Sequence, residues 1–446
     1  MLLAVGFSLA APVSVSAEVA DDFYQPPAGY EMLSPGTILR TRAVQVKALQ
    51  QFPLRVQAWQ LLYRTTDGDG RPYASVTTVM IPEGPVQTRP LLSYQMAYDA
   101  IQRECMPSYS MIAGGVTDPA DVSKQSGRST VPYEVALAAT GLAKGWAVAV
   151  PDPGGIDNHF LTPRLMGYTT LDGIRAAESF TPLGLPGADT EVALWGYSGG
   201  GVATSWAAEV QPAYAPELNI AGAAIGAPVQ DFGAAMRSAD GRYTAGLIPI
   251  GMAAMAKDSP EFAEHLDRHL SPLGRAEVAA AALNCTATTV SANRFRTVNE
   301  LLSTSLDEAL ADPVIGAAIT ARARGAAVPT TPLYVLNGVH DEVSSIAAVD
   351  DLVANYCARG ASITYVRDAV PDSVIGSHGI VALTGAGGIL AWLDRALSTP
   401  GPVQPAGCTT TTVASTALDP VGAAALPDYV DAALRTLLGQ ALGTGR

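Results

Sequence analysis

A serine with the surroundings of a nucleophile lies in the stretch Gly196-Tyr197-Ser198-Gly199-Gly200. Strand-like residues 192–195 precede it, and residues 202–208 have helical character. A serine at the apex of a sharp strand-to-helix turn needs glycines two positions away, because the neighbouring backbones pass close together. Such a serine also faces the N–H groups of a helix N-terminus, which stabilise negative charge. The pattern predicts that Ser198 is a nucleophile; the alternative is a glycine-rich turn with an incidental serine.

A serine hydroxyl is too weakly acidic to attack an ester at neutral pH, so it needs a base, and the base needs an orienting carboxylate. In enzymes with a serine on such a turn, the acid follows the serine and the histidine follows the acid. Of the five histidines, His378 in Gly376-Ser377-His378-Gly379 fits this order, in a predicted loop after the last predicted strand, residues 363–366. We predict that His378 is the base.

The other four histidines are less suitable as the base. His159 precedes the serine, and His340 comes too soon to follow an acid located after the strand 332–337. His265 and His269 lie four residues apart on a predicted helix, which we interpret as a solvated helix face rather than a metal pair, because the motif is not His-Glu-x-x-His. No metal ligand set is therefore predicted.

The acid is expected just beyond the strand that ends at Asn337-Gly338. An aspartate three residues past that glycine would lie at the carboxyl end of the sheet, on the same side as Ser198. Asp341 is the predicted acid, and Glu342 is the near alternative. Three further carboxylates are less favoured: Asp350, Asp351 and Asp368.

A negatively charged tetrahedral intermediate needs two N–H donors. One is the backbone N–H of Gly199, directly after the nucleophile, and the other comes from the loop after the third predicted strand, residues 90–96. That loop begins at Ala97-Tyr98-Asp99, so Asp99 or a neighbour is expected to supply the second donor. The alternative role for Asp99 is a helix cap or turn residue.

The composition excludes several classes of protein. With 446 residues and 48% hydrophobic residues, the chain has material for a large core. Its net charge of −14 argues against binding to nucleic acid or anionic lipid, which needs clustered Lys and Arg. Residues 2–15 are apolar and end in Val15-Ser16-Ala17, which resembles a secretory signal without its basic start; a buried strand or helix is the alternative. No later apolar run is long enough for a transmembrane helix.

Four cysteines are present, and none forms a Cys-x-x-Cys pair that would suggest zinc. In an exported protein they predict two disulfides with three possible connectivities, and in the cytosol they would be buried thiols. The four are Cys105, Cys285, Cys357 and Cys408.

Predicted strands alternate with helices around Ser198, which implies a mostly parallel sheet with helices on both faces. About a hundred residues separate the predicted strands 220–225 and 332–337, too many for a loop, and their pattern is helical, with one helix expected over 298–310. The predicted organisation is a signal peptide 1–17, a first core segment 18–226, a helical cap 227–330, a second core segment 331–398, and a C-terminal segment 399–446 with a last helix over 428–442.

Several short stretches, in this order along the chain, resemble those of the secretory lipase family. They are Ser93-Tyr94-Gln95 with Tyr98-Asp99, Cys105-x-Pro107-Ser108-Tyr109, Gly167-Tyr168 with 171–176, Gly196–Gly200, Gly338-x-x-Asp341-Glu342, and Ser377-His378. The resemblance implies an α/β-hydrolase fold with a helical cap and a C-terminal flap near the active-site mouth. It also implies Asp99 and Gly199 as the oxyanion hole, and disulfides Cys105–Cys285 and Cys357–Cys408.

The expected function is that of a secreted, extracellular serine hydrolase of carboxylic esters, a triacylglycerol lipase. It would act without a cofactor on lipid or other small ester substrates, in transient contact with a lipid–water interface. The alternatives are a carboxylesterase, an acyltransferase, or a non-catalytic hydrolase-fold binding protein. Apolar cap residues either line an acyl tunnel or are plain cap core: Leu247, Ile248, Ile250, Met252 and Met255. The oligomeric state is not predicted.

Overall fold

A ten-stranded sheet forms the centre of the molecule in the computed structural model, which describes residues 21–84, 88–112, 129–398, 401 and 403–443. The predicted signal peptide lies outside the described residues. The strands are β1 Ile38–Ala43, β2 Lys47–Ala48, β3 Phe52–Pro53, β4 Val56–Thr66, β5 Pro72–Pro82, β6 Leu91–Gln95, β7 Ala147–Pro151, β8 Val192–Tyr197, β9 Ile220–Gly226, β10 Leu333–Gly338, β11 Ile363–Asp368 and β12 Cys408–Val413. Of these, β2 and β3 form a separate two-stranded sheet.

Helices cover both faces of this sheet and fill the interval between β9 and β10. They are α1 Pro107–Ser110, α2 Val131–Ala143, α3 Leu165–Ser179, α4 Gly199–Tyr214, α5 Phe232–Ala239, α6 Leu247–Asp258, α7 Pro260–His269, α8 Pro272–Ala281, α9 Thr286–Asn293, α10 Val298–Leu301, α11 Leu306–Ala311, α12 Pro313–Thr320, α13 Ile346–Ala358, α14 His378–Thr384, α15 Ala386–Ser398 and α16 Pro420–Leu437. We call α5–α12 the insertion helices.

The sheet order is β1-β4-β5-β7-β6-β8-β9-β10-β11-β12. The pairs from β1 to β7 are antiparallel, and every pair from β7 to β12 is parallel, as predicted. In a parallel sheet the carboxyl ends of the strands share one edge, so the segments after β6, β8 and β10 meet there. The α/β-hydrolase fold expected from the sequence is therefore present.

The core has two layers, one on each face of the sheet, and a third apolar cluster lies within the insertion helices. On one face, Trp195 packs edge-on against Tyr94, with ring centroids 5.1 Å apart. The third cluster includes Met252, Phe262 and Leu301. Because it is separate from the sheet's two layers, the insertion helices have their own apolar interior.

The helix expected over 298–310 was wrong, because the structure has two short helices, α10 and α11, with a break between them. Leu302 is extended, with φ −106° and ψ 147°, and forms a β-bridge with Leu270. Ser305 then caps α11 by accepting a hydrogen bond from the N–H of Glu308 at 3.1 Å. Serine and threonine side chains compete with helical hydrogen bonding, which explains the break at Ser303-Thr304-Ser305.

The C-terminal segment joins the core of the fold. Residues 408–413 form β12, which pairs in parallel with β11, and the last helix spans Pro420–Leu437 rather than 428–442. Asp419 caps that helix through the N–H of Val421. The strand was missed because a threonine-rich run next to Pro and Gly lacks the apolar alternation of a half-buried strand.

Two disulfides join distant parts of the chain. Cys105–Cys285 links the loop after β6 to the N-terminus of α9, with Cα atoms 5.5 Å apart. Cys357–Cys408 links α13 to β12, with Cα atoms 6.0 Å apart. The structure thus contains the pairing that the resemblance implied.

No single helix in the described part of the chain is long and apolar enough to cross a membrane. Helices α14 and α15 pass that test only as a pair, and they are bent by 45° at their junction.

Candidate active site

The turn around Ser198 has the geometry that its glycines predict. The serine has φ 56° and ψ −123°, and α4 begins at the next residue. A Cβ on Gly196 would lie 2.2 Å from the carbonyl oxygen of Gly200, and one on Gly200 would lie 2.0 Å from that of Gln95. Since real Cβ atoms do not approach so closely, both glycines are required for the turn.

The structure brings Ser198, His378 and Asp341 together as a chain of hydrogen bonds. His378 Nε2 lies 2.8 Å from Ser198 Oγ, and Nδ1 lies 2.9 Å from both carboxylate oxygens of Asp341. Asp341 Oδ1 also accepts the N–H groups of Val343 at 2.8 Å and Ser344 at 2.7 Å. Because an ionised carboxylate only accepts, Nδ1 carries the proton and Nε2 is free to accept one from the serine.

The charges around His378 favour its protonated form. Burial by itself lowers the pKa of this imidazole, but the charge and hydrogen bond of Asp341, with the charges of Glu342 and Asp99, raise it above its ordinary value. An opposite charge within hydrogen-bond distance stabilises the imidazolium. The surroundings are therefore suited to a histidine that takes up a proton.

The Glu342 carboxylate binds the backbone at His378, a contact that the sequence does not predict. Its Oε2 accepts the backbone N–H groups of Ser377 at 2.8 Å and His378 at 3.1 Å. The adjacent Gly376 has φ 82°, and a Cβ there would lie 1.8 Å from Glu342 Oε1. The sequence indicates Glu342 only as the alternative acid, and its position next to Asp341 is the only sequence signal of this contact.

Asp99 lies beside the serine, in the segment after β6. It has φ 38°, and its buried Oδ1 has no hydrogen-bond partner among the described residues. Burial raises the pKa of Asp99 to about 6, although the charge of His378 partly opposes this. A Cβ on Gly199 would lie 1.9 Å from this Oδ1, so Asp99 and Gly199 are direct neighbours.

Two other contacts position the Asp99 segment. Thr286, next to the Cys105–Cys285 disulfide, donates its hydroxyl to the Asp99 carbonyl oxygen at 3.0 Å. Glu134 on α2 accepts the N–H of Ala97 at 3.1 Å, and burial raises the pKa of this carboxyl to about 8. The segment is thus fixed by both the core and the insertion helices.

An apolar cavity of about 70 Å³ opens beside Ser198, Gly199 and Asp99. Its other walls are apolar and come mainly from α5, α6 and the Phe160-Leu161 segment, with Val202, Val229 and Val343. They include all five apolar residues singled out in the sequence, Leu247, Ile248, Ile250, Met252 and Met255. None of the described residues after 398 lines this cavity, although the resemblance implied a flap near the mouth.

The remaining candidate acids have other contacts. Asp350 accepts the hydroxyl of Tyr365 at 2.9 Å, and Asp368 accepts the N–H of Thr416 at 2.8 Å. Asp351 is exposed. Of the five carboxylates considered, Asp341 is the one that contacts His378 Nδ1.

The other histidines lie in different surroundings. His340 is exposed, and His159 Nδ1 lies 3.1 Å from Asp258. The solvated helix face expected for His265 and His269 was wrong: their side chains are only 20% and 13% exposed, and both face Asp312. Asp312 caps α12, and helix packing across 47 residues brings it to His265.

No group of three or more His, Cys, Asp or Glu side chains suited to a metal ion occurs among the described residues.

Comparisons with known proteins identify the family of this chain. The family model of the secretory lipases matches residues 121–404. The chain is 40% identical to a probable inactive lipase of Mycobacterium tuberculosis, over 79% of this chain and 78% of the relative. It is 35% identical to lipase A of Arthroderma benhamiae, over 95% of this chain and 88% of that relative.

Among solved structures, the fold is similar to that of Candida antarctica lipase A. The TM-score is 0.77 at 25% identity, covering 95% of this chain and 97% of that one. The matched family model spans well over half of the chain, and the turn of Ser198 falls inside it. The chain therefore belongs to the secretory lipase family of ester hydrolases.

Proposed function

We propose that this chain is a secreted, extracellular triacylglycerol lipase that cleaves carboxylic esters through an acyl-enzyme on Ser198. The observation that carries the proposal is the hydrogen-bonded chain Ser198–His378–Asp341, with distances of 2.8 Å and 2.9 Å, at one end of an apolar cavity. A nucleophile, base and orienting acid in contact are what acyl transfer requires.

In the first step His378 Nε2 takes the proton of Ser198 Oγ as the oxygen attacks the ester carbonyl carbon. Asp341 holds the imidazole in the tautomer that can accept this proton and stabilises the imidazolium. The tetrahedral intermediate collapses when His378 gives the proton to the departing alcohol oxygen. Water then attacks the acyl-enzyme by the same route and releases the carboxylic acid.

The oxyanion is stabilised by the backbone N–H groups of Gly199 and Asp99. Gly199 begins α4, so its N–H is one of the unpaired donors of a helix N-terminus. The Asp99 segment is fixed by Thr286 and Glu134, and a donor that is already in place needs no reorganisation during the reaction.

The insertion helices are proposed to be the cap over this site, within residues 227–330. The cavity has Ser198 on the core side and α5 and α6 on the other, so an acyl chain would lie between core and cap. The walls offer apolar contacts along most of their extent, as sites for lipid chains do. Two disulfides suit the extracellular location.

A carboxylesterase for short acyl chains is the second candidate, because the cavity volume of about 70 Å³ is small for a long chain. The two candidates share the mechanism and differ in the acyl chains accepted. Turnover of p-nitrophenyl esters from acetate to palmitate separates them: a maximum at acetate or butyrate contradicts the lipase.

The test of the mechanism is labelling with a fluorophosphonate probe, which reacts with activated serines. The wild-type protein should be labelled on Ser198, and Ser198→Ala should lose both labelling and about 10⁶-fold in kcat. Ser205→Ala is the matched control, because Ser205 is a buried serine on the same helix that donates to the Val202 carbonyl. An unlabelled, folded wild-type protein would refute the serine hydrolase.

A further inference from the structure

Three methionines lie between the cavity beside Ser198, which we call the catalytic cavity, and a second apolar cavity within the insertion helices. Met236 on α5 and Met252 and Met255 on α6 line both cavities. The second cavity has a volume of about 20 Å³, and its far wall includes Phe262, Leu266 and Ile315. The three methionines are thus the wall between the two cavities, and we call them the methionine wall.

The methionine wall is buried. The exposed fractions are 9% for Met236, 3% for Met252 and 2% for Met255. Met252 and Met255 are three residues apart on α6, so they lie on one face of that helix. An atom that leaves the catalytic cavity in this direction must therefore pass these side chains before it reaches the second cavity.

Methionine side chains are suited to a wall that must change conformation to let a chain pass. It is unbranched and has three rotatable side-chain bonds, so it adopts other shapes at less cost than leucine or isoleucine. The second cavity is lined by apolar side chains, and such a cavity stays free of water. A methionine that turns into it loses no hydrogen bond and displaces no bound water.

We propose that the methionine wall sets the longest acyl chain that the enzyme accepts, and that the second cavity is the distal binding site for longer chains. The acyl group of a short ester fits within the catalytic cavity. A longer chain turns the methionines aside and continues between α6, α7 and α12. This inference rests on the proposed function, since it assigns the acyl chain to the cavity beside Ser198.

The test compares kcat/KM for p-nitrophenyl butyrate and palmitate in variants of Met252. Met252→Ala opens the wall, so the ratio of palmitate to butyrate should rise on the order of tenfold, within the range that small changes in an apolar pocket produce. Met252→Leu keeps the volume but is branched and stiffer, so the ratio should fall severalfold.

Met80→Ala is the matched control, because Met80 is a fully buried methionine on β5 and lines neither cavity. Its ratio should equal that of the wild type. Leu266 lies on the far wall of the second cavity only. Leu266→Ala should therefore raise the palmitate-to-butyrate ratio more in the Met252→Ala variant than in the wild type.

The proposal is overturned if the Met252 variants keep the wild-type ratio, or if Met80→Ala changes the ratio as much as Met252→Ala does. The proposed function is tested separately. It is contradicted if the wild-type protein hydrolyses no ester of any length and is not labelled by the fluorophosphonate. Activity on butyrate with an unchanged ratio refutes the methionine wall alone.

Discussion

On one side of Ser198, polar groups are held by hydrogen bonds, and on the other side apolar side chains are held by packing alone. In the polar half, His378 is fixed by Asp341 at 2.9 Å, and Glu342 holds its backbone N–H at 3.1 Å. In the apolar half, α5 and α6 present methionine, isoleucine and alanine to a cavity. Hydrogen bonds depend on direction and distance, whereas apolar contact depends mainly on area and volume.

This difference predicts two kinds of variant. Changes in the polar half should lower the turnover of all esters together, because they act on groups common to every substrate. Changes in the apolar half should alter the ratio between esters and leave the shortest one nearly unaffected.

The largest effect is expected for the base. His378→Ala removes the proton acceptor of Ser198, and kcat should fall by about 10⁶-fold for acetate and palmitate esters alike. His340→Ala is the control, since His340 is exposed, and it should stay close to wild type. Ester hydrolysis at saturating substrate measures both variants, and the reverse order would refute the assignment of His378.

A smaller effect is expected when the support of the histidine is disturbed. Gly376→Ala places a Cβ against Glu342 Oε1 at a residue with φ 82°, so the Ser377-His378 backbone must move. A displacement of about 1 Å in a reacting group costs on the order of 10²-fold in rate, and kcat should fall by that much for every ester.

Gly379→Ala is the matched control, because a Cβ there meets no atom within 4 Å. Thermal unfolding of both variants distinguishes local displacement from loss of the fold. A Gly376→Ala variant that is folded and fully active would show that Glu342 does not position His378.

The pH dependence of the polar half is expected to change in Asp99→Asn. The Asp99 carboxylate is one of the charges that raise the pKa of His378. The base must be neutral to accept a proton, so kcat/KM rises as the pH increases through the His378 pKa. Removing the charge lowers that pKa, and the acidic limb of the profile should move to lower pH.

This shift requires an ionised Asp99, whose own pKa is raised to about 6, so it should be seen above that pH. Asp351→Asn changes an exposed carboxylate and serves as the control. Profiles of kcat/KM from pH 4 to 9 make the measurement, and a limb that moves to higher pH would contradict the proposed coupling.

The smallest effect on chemistry is expected in the apolar half. Gly251 on α6 lines the catalytic cavity, and a Cβ there meets no atom within 4 Å. Gly251→Leu should fold, because leucine favours a helix more than glycine does, and its side chain should fill the cavity. The palmitate ester should lose on the order of tenfold in kcat/KM, while the acetate ester changes little. An equal loss for both esters would show that the two halves are not independent.

Much of the polar half was predicted because its signals are local in the chain. The glycines around Ser198 indicate the turn directly, since a Cβ at Gly196 or Gly200 would collide with backbone atoms. Chain order then favoured His378 among the five histidines, and the spacing after Gly338 favoured Asp341, with Glu342 the near alternative. The parallel sheet followed from strands alternating with helices, because that pattern has few compact solutions.

Several features needed the tertiary structure because their partners are far apart in sequence. The bond from Glu342 to the N–H of Ser377 spans 35 residues, and that from His265 to Asp312 spans 47. The threonine-rich run that forms β12 pairs in parallel with β11, which lies about 45 residues earlier in the chain.

The sequence by itself determined the class of fold and the chain order of the proposed reacting groups, since steric rules and chain order act locally. Only the tertiary structure decided that Glu342 supports His378 rather than replacing Asp341, and that three methionines stand between two cavities. Volume is a property of packed side chains from several helices, and no single segment encodes it.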